Sequence, residues 1–139
     1  MAARPYILDD QVGFILRQAS QRHTAIFAAH MVHGLTPTQF AALARLAEAG
    51  ASSQNRLGRL TAMDGATIKG VADRLRKRGL IAAVPDPQDR RRVMLDLTDD
   101  GRRVVAEAMA AGREITEATL APLSAQERAA LLDLLAKLA

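Results

Sequence analysis

Apolar residues return at Val12, Ile15, Leu16, Ala19, Ile26, Phe27 and Met31, close to a 3.6-residue period. Arg17, Gln18, Gln21 and Arg22 fall mostly on the other side. This pattern predicts a helix from Asp9 to Val32, opened by two acids at the positive end of the helix dipole and stopped at Gly34. More than about twenty residues is long for a compact domain, and a long amphipathic helix in a small protein often serves an interface between subunits. The run LTPTQFAALARLAEAG predicts a second helix. Thr36 can cap it, Pro37 suits its first turn, and Gln39 sits three residues after the cap. Phe40, Leu43, Ala44 and Ala47 would form its buried stripe, and Gly50 would close it.

Ser52 or Ser53 caps a short third helix with Leu57 and Leu60 turned inward, and Thr61 to Gly65 makes a turn. A further helix is predicted from Met63 to Gly79, its inner face formed by Ala66, Ile68, Val71, Ala72 and Leu75. Two short apolar runs follow, Leu80–Val84 and Val93–Leu97. They read as paired strands, with Leu80, Ile81 and Val84 against Val93, Leu95 and Leu97. Between them PDPQDRRR is predicted to be loop, because proline lacks the ladder donor. Thr98 and the acids after it cap a long helix from Asp99 to about Thr119, with apolar positions at Val104, Val105, Ala108, Met109 and Ile115. Ser124 with Glu127 is a capping box opening a last helix through Leu138. Its leucines 131, 132, 134, 135 and 138 cover too many sides for a lone surface helix.

Helix, turn, helix and a two-stranded ribbon with a basic tip outline a winged helix-turn-helix. The fold class is therefore mainly α with a small β-wing. Such a second helix fits the major groove of DNA, and the ribbon tip reaches an adjacent minor groove. With no repeat, no low-complexity segment and no long linker, residues 1–139 form a single domain. Residues 9–33 and 99–139 are its expected dimerisation helices, and residues 36–98 its winged helix-turn-helix.

Composition sharpens this picture. The chain has 139 residues, 49% apolar but only 3% aromatic, which favours helices packed on helices. No apolar run approaches ~18 residues, so no membrane span is predicted. The start, MAARPYILDDQ, lacks a charged-then-apolar signal, so a cytoplasmic location is expected. The absence of cysteine removes disulfides, thiolate catalysis and Cys-type zinc sites. Net charge is +4, unevenly spread. From Ser52 to Arg92 ten Lys and Arg face four acids, a local excess of +6, and the remainder carries −2. A charge run is usually only a solvated face, but this one coincides with an independent DNA-binding pattern.

Within that pattern, Met63 to Gly70 is the half-helix that would meet base edges. Thr67 and Lys69 can donate to bases or phosphates, and Gly70 lets the backbone come close. Gly65 and Gly70 each cost about 1 kcal/mol inside a helix, which points to a steric need near DNA or another helix. Arg74, one turn on, is better placed for phosphate. Gln54 and Asn55 open the preceding helix, where free backbone amides suit a phosphate as well as simple capping. At the ribbon tip a β-turn would thrust Arg90 and Arg91 outward, where a narrow minor groove attracts arginine. There is no nucleophile elbow, phosphate-cradling Gly loop or metal-binding helix motif, so no catalytic residue and no cofactor is expected. His30 and His33 lack further ligands, so no metal site is expected either.

This order of elements resembles the MarR family of bacterial transcription regulators along essentially the whole chain. LTPTQFAALARL looks like the family's second helix and MDGATIKGVADRLRKRGLI like its recognition helix. The wing pattern, Asp-Pro-x-Asp-Arg-Arg followed by Leu-x-Leu-Thr-x-x-Gly, is complete in Asp86, Pro87, Asp89, Arg90, Arg91, Leu95, Leu97, Thr98 and Gly101. TQFAALA and TAMDGATIKGV further resemble the subgroup that represses nicotinate breakdown. The resemblance implies an obligate homodimer, roughly triangular, on a palindromic operator in double-stranded DNA, often released by a small phenolic or aromatic acid. It implies one wing arginine in the minor groove braced by an aspartate, here Arg90 with Asp86 or Asp89, and phosphate or structural roles for Arg91 and Arg92. It also implies an effector pocket between the dimer-forming helices and the DNA-binding lobe. Arg17, Arg22, His23, Phe27 and His30 along the first helix, with Phe40 and Met109 on other walls, are the candidates for it. His23 with Arg17 or Arg22 would anchor the carboxylate of a hydroxylated pyridine or benzene carboxylate. The plainer role of the histidines is that of satisfied core residues. The competing reading of the whole chain is a winged-helix protein-interaction or architectural DNA-binding module without an effector.

Overall fold

The computed structural model describes residues 2–139. After a 3₁₀ turn at Leu8–Asp10 come α1 (Val12–His30), α2 (Pro37–Ala49), α3 (Gln54–Leu60) and α4 (Gly65–Lys77). Strands β1 (Ile81–Pro85) and β2 (Val93–Leu97), α5 (Asp99–Leu120) and α6 (Ala125–Leu138) complete the order. Mainly helical with one two-stranded antiparallel sheet, this is the expected fold class. The chain separates into two compact units. One takes the chain up to His30 together with Gly112–Ala139, and the other takes Met31–Ala111.

The second unit holds the main core, in which Leu43, Leu46, Leu57, Ile68 and Leu75 are fully buried. Its first helix starts where capping chemistry requires. The Gln39 amide donates to Thr36 Oγ1, the Thr36 amide donates to Gln39 Oε1, and Pro37 takes the first turn. The buried stripe of α2 is shifted from the expected one. It comprises Gln39, Ala42, Leu43 and Leu46, with Phe40 and Ala44 half-buried and Ala47 exposed. Gln39 goes inward because its amide is consumed by the cap.

Ser53, not Ser52, caps α3, accepting from the Arg56 amide at 3.2 Å. Ser52 is buried and acts as a third rung of the sheet, exchanging both backbone hydrogen bonds with Leu95 (3.0 and 2.8 Å). Between α3 and α4 the chain turns so tightly that Ala62 adopts φ 55°. The Met63 amide folds back onto the Gly58 carbonyl, which turns Met63 toward the core. The expected recognition helix therefore begins two residues late, at Gly65 with Asp64 as its cap, and Ala66 lies outside. Gly58 makes the close α3–α4 approach possible, since a Cβ there would sit 3.2 Å from both Ile68 Cγ2 and the Met63 carbonyl. Left-handed backbone costs an alanine about 1–2 kcal/mol. Ala62→Gly is accordingly expected to stabilise the protein by about 1 kcal/mol in a urea melt, and an unchanged or lowered midpoint would contradict the assigned turn.

α4 closes at Gly79 (φ 73°) with the Leu80 amide bonded to the Leu75 carbonyl and the Gly79 amide to that of Arg76, both leucines being buried. Leu80 thus belongs to the cap, and β1 starts at Ile81. The register pairs Ile81 with Leu97, Ala83 with Leu95, Val84 with Met94 and Pro85 with Val93, not the trio against trio expected from the apolar runs. Pro85 also lies in the strand, not the loop. Leu95 spends its amide and carbonyl on Ser52, so Ala83 and, two residues on, Pro85 point their nitrogens away from β2. A missing donor costs nothing there.

Thr98 stitches the ribbon to α4 and α5. Its hydroxyl donates to the Gly79 carbonyl (2.6 Å), its amide to that of Leu80 (3.1 Å), and it accepts from the Gly101 amide (3.0 Å).

In the other unit, residues 9 and 10 fall in the 3₁₀ turn because Gln11 is extended (φ −90°, ψ 134°), so α1 begins at Val12 and ends at His30, before the expected Val32. The Ser124–Glu127 capping box opens α6 as the pattern required. Only Phe27 of α1 is buried. Val12 (65% exposed), Ile15 and Leu16 on α1 and Leu132, Leu134 and Leu138 (71%) on α6 lie open to solvent. Among the described residues, no helix is long and apolar enough to cross a membrane.

Candidate nucleic-acid interface

The two helices of residues 54–77 place the DNA candidates. Asp64 caps α4 by accepting from the Thr67 amide at 2.7 Å. That bond first, and the Thr67 hydroxyl second, hold the exposed Asp64 carboxyl below its usual range, so the cap is charged at neutral pH. Thr67 is exposed one turn into the helix, with its hydroxyl turned to the cap. Lys69 is also exposed, and its ammonium is 3.0 Å from Asp73 one turn on. Thr67, Gly70 and Arg74 follow one another at i, i+3 and i+7, on one face. Neither Gly65 nor Gly70 is crowded by the chain. Nothing lies within 4 Å of a Cβ at Gly65, and one at Gly70 would make ordinary contact with Arg74 Nη1 (3.6 Å). The steric need expected of these glycines does not arise within the chain.

Asn55 is exposed and Gln54 half-buried in the first turn of α3, beside Ser53, which already serves as cap. Exposed Arg76 and Lys77 in the last turn of α4 add charge beyond the sequence candidates. Their signal was present, since Arg74, Arg76, Lys77 and Arg78 crowd five positions.

The ribbon tip is organised by its aspartates. Asp86 Oδ1 accepts from the Gln88 amide (2.9 Å), and Asp89 Oδ1 accepts from the Arg91 amide (3.1 Å) and Arg91 Nε (3.3 Å). The Arg92 amide returns to the Asp89 carbonyl and the Asp86 amide to that of Arg92. In the free chain, then, neither aspartate braces Arg90. Asp89 holds Arg91, while the exposed Arg90 guanidinium has no partner among the described residues.

The effector candidates divide between the units. Arg17, Arg22, His23, Phe27 and His30 lie on α1 in one unit, whereas Phe40 and Met109 are half-buried against the core of the other. Arg22 is a helix cap, donating from Nη1 to the Thr119 carbonyl (2.7 Å) and from Nη2 to that of Ala118 (3.0 Å) at the negative end of α5. His23 Nδ1 lies 2.8 Å from Thr119 Oγ1, and His30 Nδ1 donates to the Ile26 carbonyl at 2.9 Å. Exposed Arg17 has no partner among the described residues. His33, three positions beyond His30, instead contacts Glu107 at 2.5 Å.

Comparison with known proteins places this arrangement. The MarR family profile matches residues 33–92. The chain is 44% identical to the HTH-type transcriptional repressor NicR of Pseudomonas putida over 96% of its own length and 85% of the relative's. It is 59% identical to a probable transcriptional regulator from Pseudomonas aeruginosa whose crystal structure superposes with a TM-score of 0.89, covering 96% of this chain and all of that one. BpsR of Bordetella bronchiseptica, whose DNA binding is regulated by 6-hydroxynicotinic acid, is 43% identical with a TM-score of 0.91 over 97% of each chain.

Proposed function

The chain belongs to the MarR family, and from that premise we propose that it is a homodimeric repressor whose grip on a palindromic operator is relieved by a small aromatic acid. The observation that carries this reading is the exposed basic surface of α3, α4 and the ribbon, where the +6 excess coincides with a helix free to enter a major groove. The open leucines of α6 and apolar row of α1 supply a surface for a second copy. Two copies present two α4 helices to half-sites about one duplex turn apart. A protein that acts on operator DNA would do so in the cytoplasm.

The similarity to NicR and BpsR supports a pyridine carboxylate as effector. On α1, Arg22 is committed to α5, which leaves Arg17 and the outer nitrogen of His23 to meet the carboxylate and ring substituents. Anisotropy titrations on duplex from upstream of the protein's own gene test this reading. Addition of 6-hydroxynicotinic acid is expected to weaken binding about tenfold. Calorimetry should show the acid bound by the wild type and at least about tenfold more weakly by His23→Ala. Equal binding by both proteins rejects the assignment of His23, and DNA binding indifferent to every aromatic acid in a panel rejects the effector.

A further inference from the structure

The turn between α1 and α2 carries two successive left-handed residues, His33 (φ 58°) and Gly34 (φ 63°). Few residues other than glycine take up that backbone, and here the surroundings of His33 hold it. Two groups do. Glu107 Oε2 meets the ring at Nε2, and Arg78 Nη2 donates to the His33 carbonyl at 2.5 Å. Arg78 is the residue that caps the C-terminal end of α4. Glu107 lies on α5. The chain passes between its two units twice, at His30–Met31 and at Ala111–Gly112. His33 stands three residues beyond the first passage, and Glu107 about one helical turn before the second. One bonded cluster therefore joins both passages to the end of the recognition helix.

We infer that Arg78, His33 and Glu107 are positioning residues that transmit the state of the α1 unit to α4, so that ligand occupancy changes operator affinity through them. The inference rests on the ligand-responsive reading above. A displacement at either passage must move His33 or break a bond to it, and the Arg78 bond carries the change to the α4 terminus. Hydrogen-bonded clusters of this kind can carry coupling between sites without touching either ligand.

The test compares wild type, Glu107→Ala, Arg78→Ala and the conservative Arg78→Lys, each checked for a folded helical spectrum. For each, operator affinity is measured with and without saturating 6-hydroxynicotinic acid, and binding of the acid alone by calorimetry. A merely structural role lowers both operator affinities together and leaves their ratio unchanged. Coupling changes the ratio. The two alanine variants should bind the acid within about threefold of wild type yet lose at least about threefold of the acid's effect on DNA, with Arg78→Lys restoring part of it. Variants with the wild-type ratio overturn the inference, as do variants that lose acid binding itself, because the residues then belong to the ligand site. A wild type whose operator binding ignores the acid overturns the ligand reading and this one with it, and that result is visible before any variant is made.

Discussion

Gly101→Ala should cost at least about 3 kcal/mol of stability and abolish operator binding at ordinary temperatures. A Cβ at this buried position would fall on the Leu80 carbonyl oxygen and press the Leu97 side chain at 3.3 Å. The colliding atom is backbone, so no rotamer change relieves it. Nor can the Leu80 carbonyl move freely, because it accepts from the Thr98 amide while the Thr98 hydroxyl holds the Gly79 carbonyl. The closure of α4, the return of the ribbon and the start of α5 meet within a few ångströms. Denaturant melts followed by circular dichroism measure the loss, and a midpoint within error of wild type would refute the close approach.

Arg90→Ala is expected to leave stability intact and weaken operator binding by about 1–3 kcal/mol, roughly five- to 150-fold. In the free chain Arg90 surrenders no internal bond on meeting DNA, whereas Arg91, its side chain 91% exposed, already shares Asp89. The turn ordered by Asp86 and Asp89 fixes the backbone that carries Arg90, so little backbone entropy is lost when its side chain enters a groove. Arg91→Ala should therefore cost less than Arg90→Ala. Removing either charge should also flatten the salt dependence of binding by about one counterion. Equal affinity of wild type and Arg90→Ala across salt concentrations rejects the role.

Much of the fold was legible in the sequence because its punctuation is chemical. Thr36–Gln39 and Ser124–Glu127 formed the capping boxes their spacing required, and Gly50 and Gly79 took the positive-φ conformations that close α2 and α4. What escaped depended on tertiary partners. The ribbon register follows from Ser52 claiming Leu95, a contact across more than forty residues that no local pattern displays. The inner stripe of α2 turned because a cap consumed Gln39, and Met63 left the recognition helix because its amide had a better partner in Gly58. The candidate site divides likewise. Exposed positions of α4 and the ribbon tip could be assigned from period and turn chemistry. By contrast, Arg22 as a cap on α5 and Arg78 as a brace on His33 join residues 97 and 45 positions apart. A charge pattern cannot reveal which of many arginines is already occupied.

The outward nitrogen of Pro85 has a consequence for life at high concentration. β1 is the free border of the sheet, since β2 is flanked on its far side by Ser52. A bare border invites strands from other molecules to zip onto it, the first step toward aggregates. Proline removes a docking point beside the tip, and three consecutive arginines repel a like-charged neighbour arriving there. The basic ribbon is thereby kept from pairing with others of its own kind.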